Sequence, residues 1–143
     1  MSGLVPLELV AAIDIGGTNT VFALVSREGE IIVRDSIATN SISDFDEYVA
    51  AITNRMNAMS GQHKVLAVGI GAPNGNYFNG TIEFAPNLPW RGVLQLPKSF
   101  NKYMVSKHSK ILKRIAKNDC CRFKESLDLL GASTQMYHLA LGA

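Results

Sequence analysis

The residues of this 143-residue chain best suited to chemistry are Asp14-Ile15-Gly16-Gly17-Thr18-Asn19. Paired glycines permit positive φ and admit a ligand where a β-carbon would obstruct it, so successive N–H groups can converge on an anion. Thr18 and Asn19 add side-chain donors beside those amides. Asp14 supplies a carboxylate able to hold the water shell of a phosphate-bound magnesium ion.

The flanking residues say what positions this turn. Leu9-Val10-Ala11-Ala12-Ile13 and Val21-Phe22-Ala23-Leu24-Val25 are apolar runs of strand length, so two short strands bracket the glycines. A plain strand reversal explains a Gly-Gly pair equally well. The turn is not a P-loop, because no Gly-Lys-Ser/Thr follows. Nor is it the dinucleotide fingerprint, because a strand follows where a helix should begin.

Beyond Ser26-Arg27-Glu28-Gly29-Glu30, a polar reversal, Ile31 to Ala38 supplies a third strand and completes an antiparallel meander. Phe45, Val49, Ile52, Met56 and Met59 then recur at three- and four-residue steps, which predicts a helix over Asp44 to Met59. Asp44 and Glu47 form a capping pair at its start, Gly61 ends it, and the methionines are expected in the core. Val65-Leu66-Ala67-Val68-Gly69-Ile70 reads as a buried strand entered from that crossover helix. Its carboxyl end runs into Gly71-Ala72-Pro73-Asn74-Gly75, and open α/β sheets bind ligands beyond the carboxyl ends of their strands.

Tyr77 to Phe84 predicts two short strands about an Asn79-Gly80 turn. Pro86, Pro89 and Gly92 exclude a helix across Asn87 to Trp90, leaving a shaped loop.

Asp14-Ile15-Gly16-Gly17-Thr18-Asn19 resembles the first phosphate loop of the actin-like ATPase superfamily, in the form typical of ROK-family sugar kinases. Gly69-Ile70-Gly71-Ala72-Pro73-Asn74-Gly75, followed by Ala85-Pro86-Asn87-Leu88-Pro89-Trp90, is similar to the sugar-contacting part of the same family. Both blocks, in this order and at this separation, match glucokinase-like members over roughly the first hundred residues.

The resemblance implies an α/β fold: the amino-terminal lobe of the actin-like ATPase (ribonuclease H-like) fold, a three-stranded antiparallel meander plus crossover helix and further strand. It implies ATP with magnesium as cofactor and a hexose as partner, with phosphoryl transfer to a sugar hydroxyl, the 6-hydroxyl of glucose above all. Gly16, Gly17, Thr18 and Asn19 would cradle the ATP phosphates, and Asp14 would hold magnesium through water. Asn74, Gly75 and Asn87 would bind the sugar, whose hydroxyls need amide donors and acceptors. Turn formation is the alternative role for both asparagines, and Trp90 is expected to pack rather than to serve as a sugar platform. Full-length members of the family are expected to form homo-oligomers.

Composition divides the chain. Residues 1–100 carry six Lys/Arg against nine Asp/Glu, whereas residues 101–143 carry eight against three and both cysteines. The shift predicts a kinase-like lobe over 1–100 and an unmatched basic tail over 101–143, helical or poorly ordered. Lys107, Lys110, Lys113, Arg114 and Lys117 among Ile111, Leu112 and Ile115 suggest a basic amphipathic helix with a solvated face. Cys120 and Cys121 lack the spacing of a zinc site, and His108 and His138 have no evident partner.

A ROK kinase would place its catalytic base in an Asn-Asp pair at an Ala-rich helix start. Asn118-Asp119 is the tail's only such pair, but Lys117 and Cys120-Cys121-Arg122 depart from the pattern, so no catalytic residue is assigned. The expectation is therefore an amino-terminal lobe with an unrelated or out-of-register ending, truncated relative to its family.

Two other classes stay open, a non-catalytic sugar-binding fragment and a ROK-type sugar-responsive regulator. Few residues precede the phosphate turn, which argues against an added helix-turn-helix. At 47% hydrophobic and 18% charged, with no spanning apolar run and no basic start of a secretory signal, the chain is expected to be cytoplasmic, binding neither nucleic acid nor membrane.

Overall fold

The computed structural model describes residues 5–76, 78–103 and 137–140. β1 (Glu8–Ile15), β2 (Asn19–Val25) and β3 (Ile31–Ala38) form the meander that the three apolar runs predicted. Both inter-strand pairings are antiparallel, with Ile13 opposite Phe22 and Phe22 opposite Asp35. β1 and β2 are almost wholly buried, while β3 alternates between half-buried and exposed residues. That alternation suits a strand at the sheet's edge, with one face toward the core.

A 3₁₀ turn, Thr39–Ser41, separates the meander from α1 (Phe45–Ser60). Asp44 caps α1 by accepting the Glu47 N–H at 2.9 Å, and Gly61 leaves the helix at a positive φ of 52°. Val49, Ile52 and Met56 are buried as the spacing predicted, with Phe45 and Met59 partly buried beside them. Tyr48 and Thr53 share that buried face. Each large apolar side chain so buried contributes roughly 1.5–3 kcal/mol.

β4 (Lys64–Ala72) returns parallel to β1, with Ile13 beside Ile70 and Asp14 beside Gly71. The crossover helix thus packs on the sheet, and Leu9, Ala11, Ile13 and Ile15 of β1 point into the core it closes. On the opposite face Ala12, Ala23 and Val25 form a smaller cluster with Val21 and Ile31.

A second sheet follows. β5 (Gly75–Asn76), β6 (Thr81–Glu83) and β7 (Val93–Gln95) pair in that order, all antiparallel. The Asn79-Gly80 hairpin is present, with Gly80 at φ 67° and its N–H bonded to the Asn76 carbonyl at 2.8 Å. The strand that pairs with β6 is Gly75–Asn76, and Phe78, expected in a strand, lies in the turn and is 92% exposed; Tyr77 lies outside the described residues. The correction has a local cause: Asn76 Oδ1 accepts the N–H groups of Phe78 and Asn79, drawing those residues into an Asx-type turn.

α2 (Leu96–Tyr103) was not anticipated. Leu96 and Phe100, one helical turn apart, are fully buried in the main core. The composition boundary near Phe100 falls inside this helix.

β8 (Tyr137–Ala140), from the basic tail, adds antiparallel to β4, pairing Gly71 with His138. The main sheet therefore runs β3-β2-β1-β4-β8. The basic amphipathic stretch, Asn118-Asp119 and the two cysteines lie outside the described residues. Among the described residues no helix is long and apolar enough to cross a membrane.

Candidate phosphate and sugar site

The glycine turn closes with a single backbone bond, from the Gly16 N–H to the Asn19 carbonyl at 3.0 Å. A β-carbon at Gly16 would stand 2.7 Å from that same carbonyl oxygen, so only glycine fits. Among the described residues no acceptor meets the N–H groups of Gly17 and Thr18. The turn is at once the hairpin reversal and a set of uncommitted amide donors.

Thr39 holds the turn from behind. Its backbone N–H donates to the Thr18 carbonyl at 2.9 Å, and its hydroxyl donates to the Gly16 carbonyl at 2.7 Å. Thr39 Oγ1 also lies 2.9 Å from Thr20 Oγ1, which in turn hydrogen-bonds the Tyr48 hydroxyl. All three side chains are fully buried. Burial and the nearby Asp14 carboxylate push the Tyr48 phenol far above its ordinary pKa, so it stays protonated.

Asp14 ends β1 beside this network and is only 9% exposed. Its Oδ1 is buried with no hydrogen-bond partner among the described residues, and desolvation raises the carboxyl's pKa above the ordinary aspartate value. An orphaned buried acceptor at the mouth of a turn of free amides fits a group that donates to it, such as water on a cation.

The second block sits against the first. A β-carbon at Gly17 would stand 3.2 Å from the Asn87 carbonyl oxygen and 3.3 Å from Asn87 Cβ. The phosphate turn and the asparagine loop therefore share one edge of the molecule. Thr18, Asn19 and Asn87 are exposed there. Among the described residues the Asn87 amide has no hydrogen-bond partner.

Asn74 is employed differently. At φ 53° its side-chain amide donates to the carbonyls of Glu83 at 3.1 Å and Phe84 at 3.2 Å, pinning β6 to the end of β4. Gly75 is buried in β5. Behind this loop Trp90 is 6% exposed and packs at a tilt on Tyr48, ring centroids 4.3 Å apart, and edge-on against Phe45 at 5.1 Å, as expected of a packing residue.

The sequence's family profile decides the membership: the ROK family matches over residues 10–118, well over half of the chain. The chain belongs to the ROK family. A glucokinase of Streptomyces coelicolor is 35% identical over 86 residues, covering 58% of this chain and 26% of that protein. A glucokinase of Thermotoga maritima is 33% identical over 86 residues, covering 57% and 26%. Among solved structures, a ROK family glucokinase from Streptomyces griseus, in complex with glucose and AMPPNP, superposes with a TM-score of 0.58 at 30% identity. It covers 80% of this chain and 36% of that one. This ROK chain thus spans about a quarter of the length of the curated relatives it matches. Its α/β lobe has the actin-like ATPase fold of ROK sugar kinases.

Reasoning from sequence missed Thr20, Thr39 and Tyr48, which support the ROK turn without belonging to its motif. Tyr48 carried a signal, since it falls on the α1 face one turn after Phe45. Thr39 carried none: a threonine following a strand is ordinary.

Proposed function

We propose that this ROK chain supplies the phosphate turn and sugar loop of an ATP-dependent hexose kinase, glucokinase-like, with the glucose 6-hydroxyl as acceptor. The observation that carries this reading is the packing of Gly17 against Asn87, which puts amides for an anion beside an amide for a sugar hydroxyl. The Streptomyces griseus glucokinase, solved with glucose and AMPPNP, supports the pairing of those two ligands.

In this reading the free N–H groups of Gly17 and Thr18 meet phosphate oxygens, Gly16 makes the turn possible, and Thr18 and Asn19 add side-chain donors. Asp14 would hold magnesium through water, its Oδ1 being buried with no partner among the described residues. Magnesium, when bound with ATP, neutralises charge that develops on the phosphates. Asn87 orients the sugar, Gly75 lies beside that loop in β5, and Asn74 holds the loop's shape by donating to the Glu83 and Phe84 carbonyls. Phosphoryl transfer is mostly positioning and charge stabilisation, and that is what these residues provide. The base that takes the hydroxyl proton is assigned to no described residue, so residues 5–103 act as the substrate-binding lobe and the base comes from elsewhere. The compartment implied is the cytoplasm, where ATP and free hexose meet.

A second reading is a lobe that binds sugar without turnover, favoured by an exposed Asn87 amide with no assigned base among the described residues. A coupled ATP/glucose assay with calorimetric glucose titration separates the two. Turnover supports the kinase; heat without turnover supports the binding lobe; neither overturns both.

A further inference from the structure

Four atoms form one chain behind the phosphate turn: the Tyr48 hydroxyl, Thr20 Oγ1, Thr39 Oγ1 and the Gly16 carbonyl oxygen. Its proton order follows from counting. A carbonyl only accepts, so the single Thr39 hydroxyl proton goes to Gly16. Thr20 must then spend its proton on Thr39, and Tyr48 must donate to Thr20. Every donor points toward the turn, and donors aligned this way polarise one another.

The consequence is geometric. A peptide group is planar and trans, so the N–H of residue 17 points opposite to the carbonyl of residue 16. Holding the Gly16 carbonyl on Thr39 aims the Gly17 N–H away from the core, toward the open edge shared with Asn87. Glycine at both positions makes this peptide unusually free to rotate, so something must hold it. The buried hydroxyls do so, and none of them reaches the edge itself.

We propose that Thr39, backed by Thr20 and Tyr48, is a positioning residue that presets the Gly16-Gly17 peptide for phosphate. The proposal rests on the functional reading above and deepens it. It also links the two ligand loops, because the ring of Tyr48 packs against Trp90, three residues beyond Asn87.

The test uses the whole chain and four proteins: wild type, Thr39→Val, Thr39→Ser and Tyr48→Phe. ATP with magnesium, inorganic tripolyphosphate and glucose are each titrated by calorimetry, and the Gly17 amide is followed by ¹⁵N NMR. Thr39→Val keeps the shape and removes the donor, so both phosphate ligands should bind about tenfold more weakly. Thr39→Ser should recover to within about twofold of wild type, and Tyr48→Phe should fall between, at about two- to threefold, since it removes only the far end of the relay. Glucose affinity should stay within about twofold throughout, and the Gly17 amide resonance should move in Thr39→Val and Tyr48→Phe. Should Thr39→Val not fold, Tyr48→Phe carries the same comparison, since it retains the ring against Trp90. Phosphate binding unchanged in Thr39→Val, no rescue by serine, or glucose affinity lost in parallel would each overturn the positioning role and leave the kinase reading standing. A wild type that binds neither ATP nor tripolyphosphate overturns the kinase reading and the positioning role together.

Discussion

Gly17 lies against Asn87 so closely that a β-carbon on the glycine would sit 3.2 Å from the asparagine's carbonyl oxygen. Such a contact is tighter than ordinary van der Waals spacing, so a side chain here must part the two loops by a few tenths of an ångström. Gly17→Ala should therefore fold with a stability loss of about 1 kcal/mol or less while weakening glucose and ATP several-fold. Thermal unfolding and calorimetry check this, and unaltered affinities would show that the contact has no bearing on either ligand.

Gly16 is less forgiving, because its neighbour is the backbone oxygen of its own turn at 2.7 Å. Gly16→Ala forces the hairpin open and should cost about 1–3 kcal/mol of stability. Chemical denaturation measures it. A midpoint equal to wild type would mean that the turn tolerates a different closure.

The two asparagines should separate on substitution. Asn87 is exposed with no described partner, so Asn87→Ala should leave stability within about 0.5 kcal/mol while lowering glucose affinity about tenfold. Asn74 donates to two carbonyls. Asn74→Ala should cost about 1–2 kcal/mol of stability, and its effect on glucose should follow the loss of loop shape. A stable Asn74→Ala together with an unstable Asn87→Ala would reverse these roles.

Asp14 makes a prediction in pH. Its folded-state pKa is raised by desolvation, so between the unfolded and folded values the native state binds more protons. The raised pKa contributes stability that is fully present below the unfolded value and is lost as pH rises through the folded one. Asp14→Asn removes that dependence, so the variant should gain on wild type as pH rises toward neutral, with the gain vanishing below the ordinary aspartate range. Its magnesium-dependent ATP binding should fall. Urea unfolding across pH checks the first outcome, and a flat difference between the two proteins would refute it.

Phe84 holds a positive φ of 51° and is 71% exposed. A non-glycine residue in this region is strained, and little packing is lost by trimming an exposed ring. Phe84→Gly should raise stability by about 1 kcal/mol. If glucose affinity falls at the same time, the strained ring serves the sugar loop.

Particular residues show why some of this could be read directly and some could not. The period of Val49, Ile52 and Met56 marks one helix face whatever that face packs on, and Asp44 caps its own helix through a bond to Glu47. The apolar runs on either side of Gly16-Gly17 mark two strands and a turn for equally local reasons. α2 escaped notice because only Leu96 and Phe100 repeat across its eight residues, too short a run to establish a period. The first hairpin strand was misplaced because Asn76, by accepting two N–H groups, draws the aromatic Phe78 into the turn.

The sequence by itself determined the glycine turn, its flanking strands, the crossover helix and the buried strand after it, since periodicity and backbone freedom act over a few residues. Tertiary structure alone decided that Asn87 meets Gly17, that Thr39 turns its hydroxyl to the Gly16 carbonyl, and that Tyr137–Ala140 joins β4. Those pairings depend on how the parallel return beside β1 brings distant segments together. A threonine or an asparagine has the same local chemistry whether or not the fold gives it a partner.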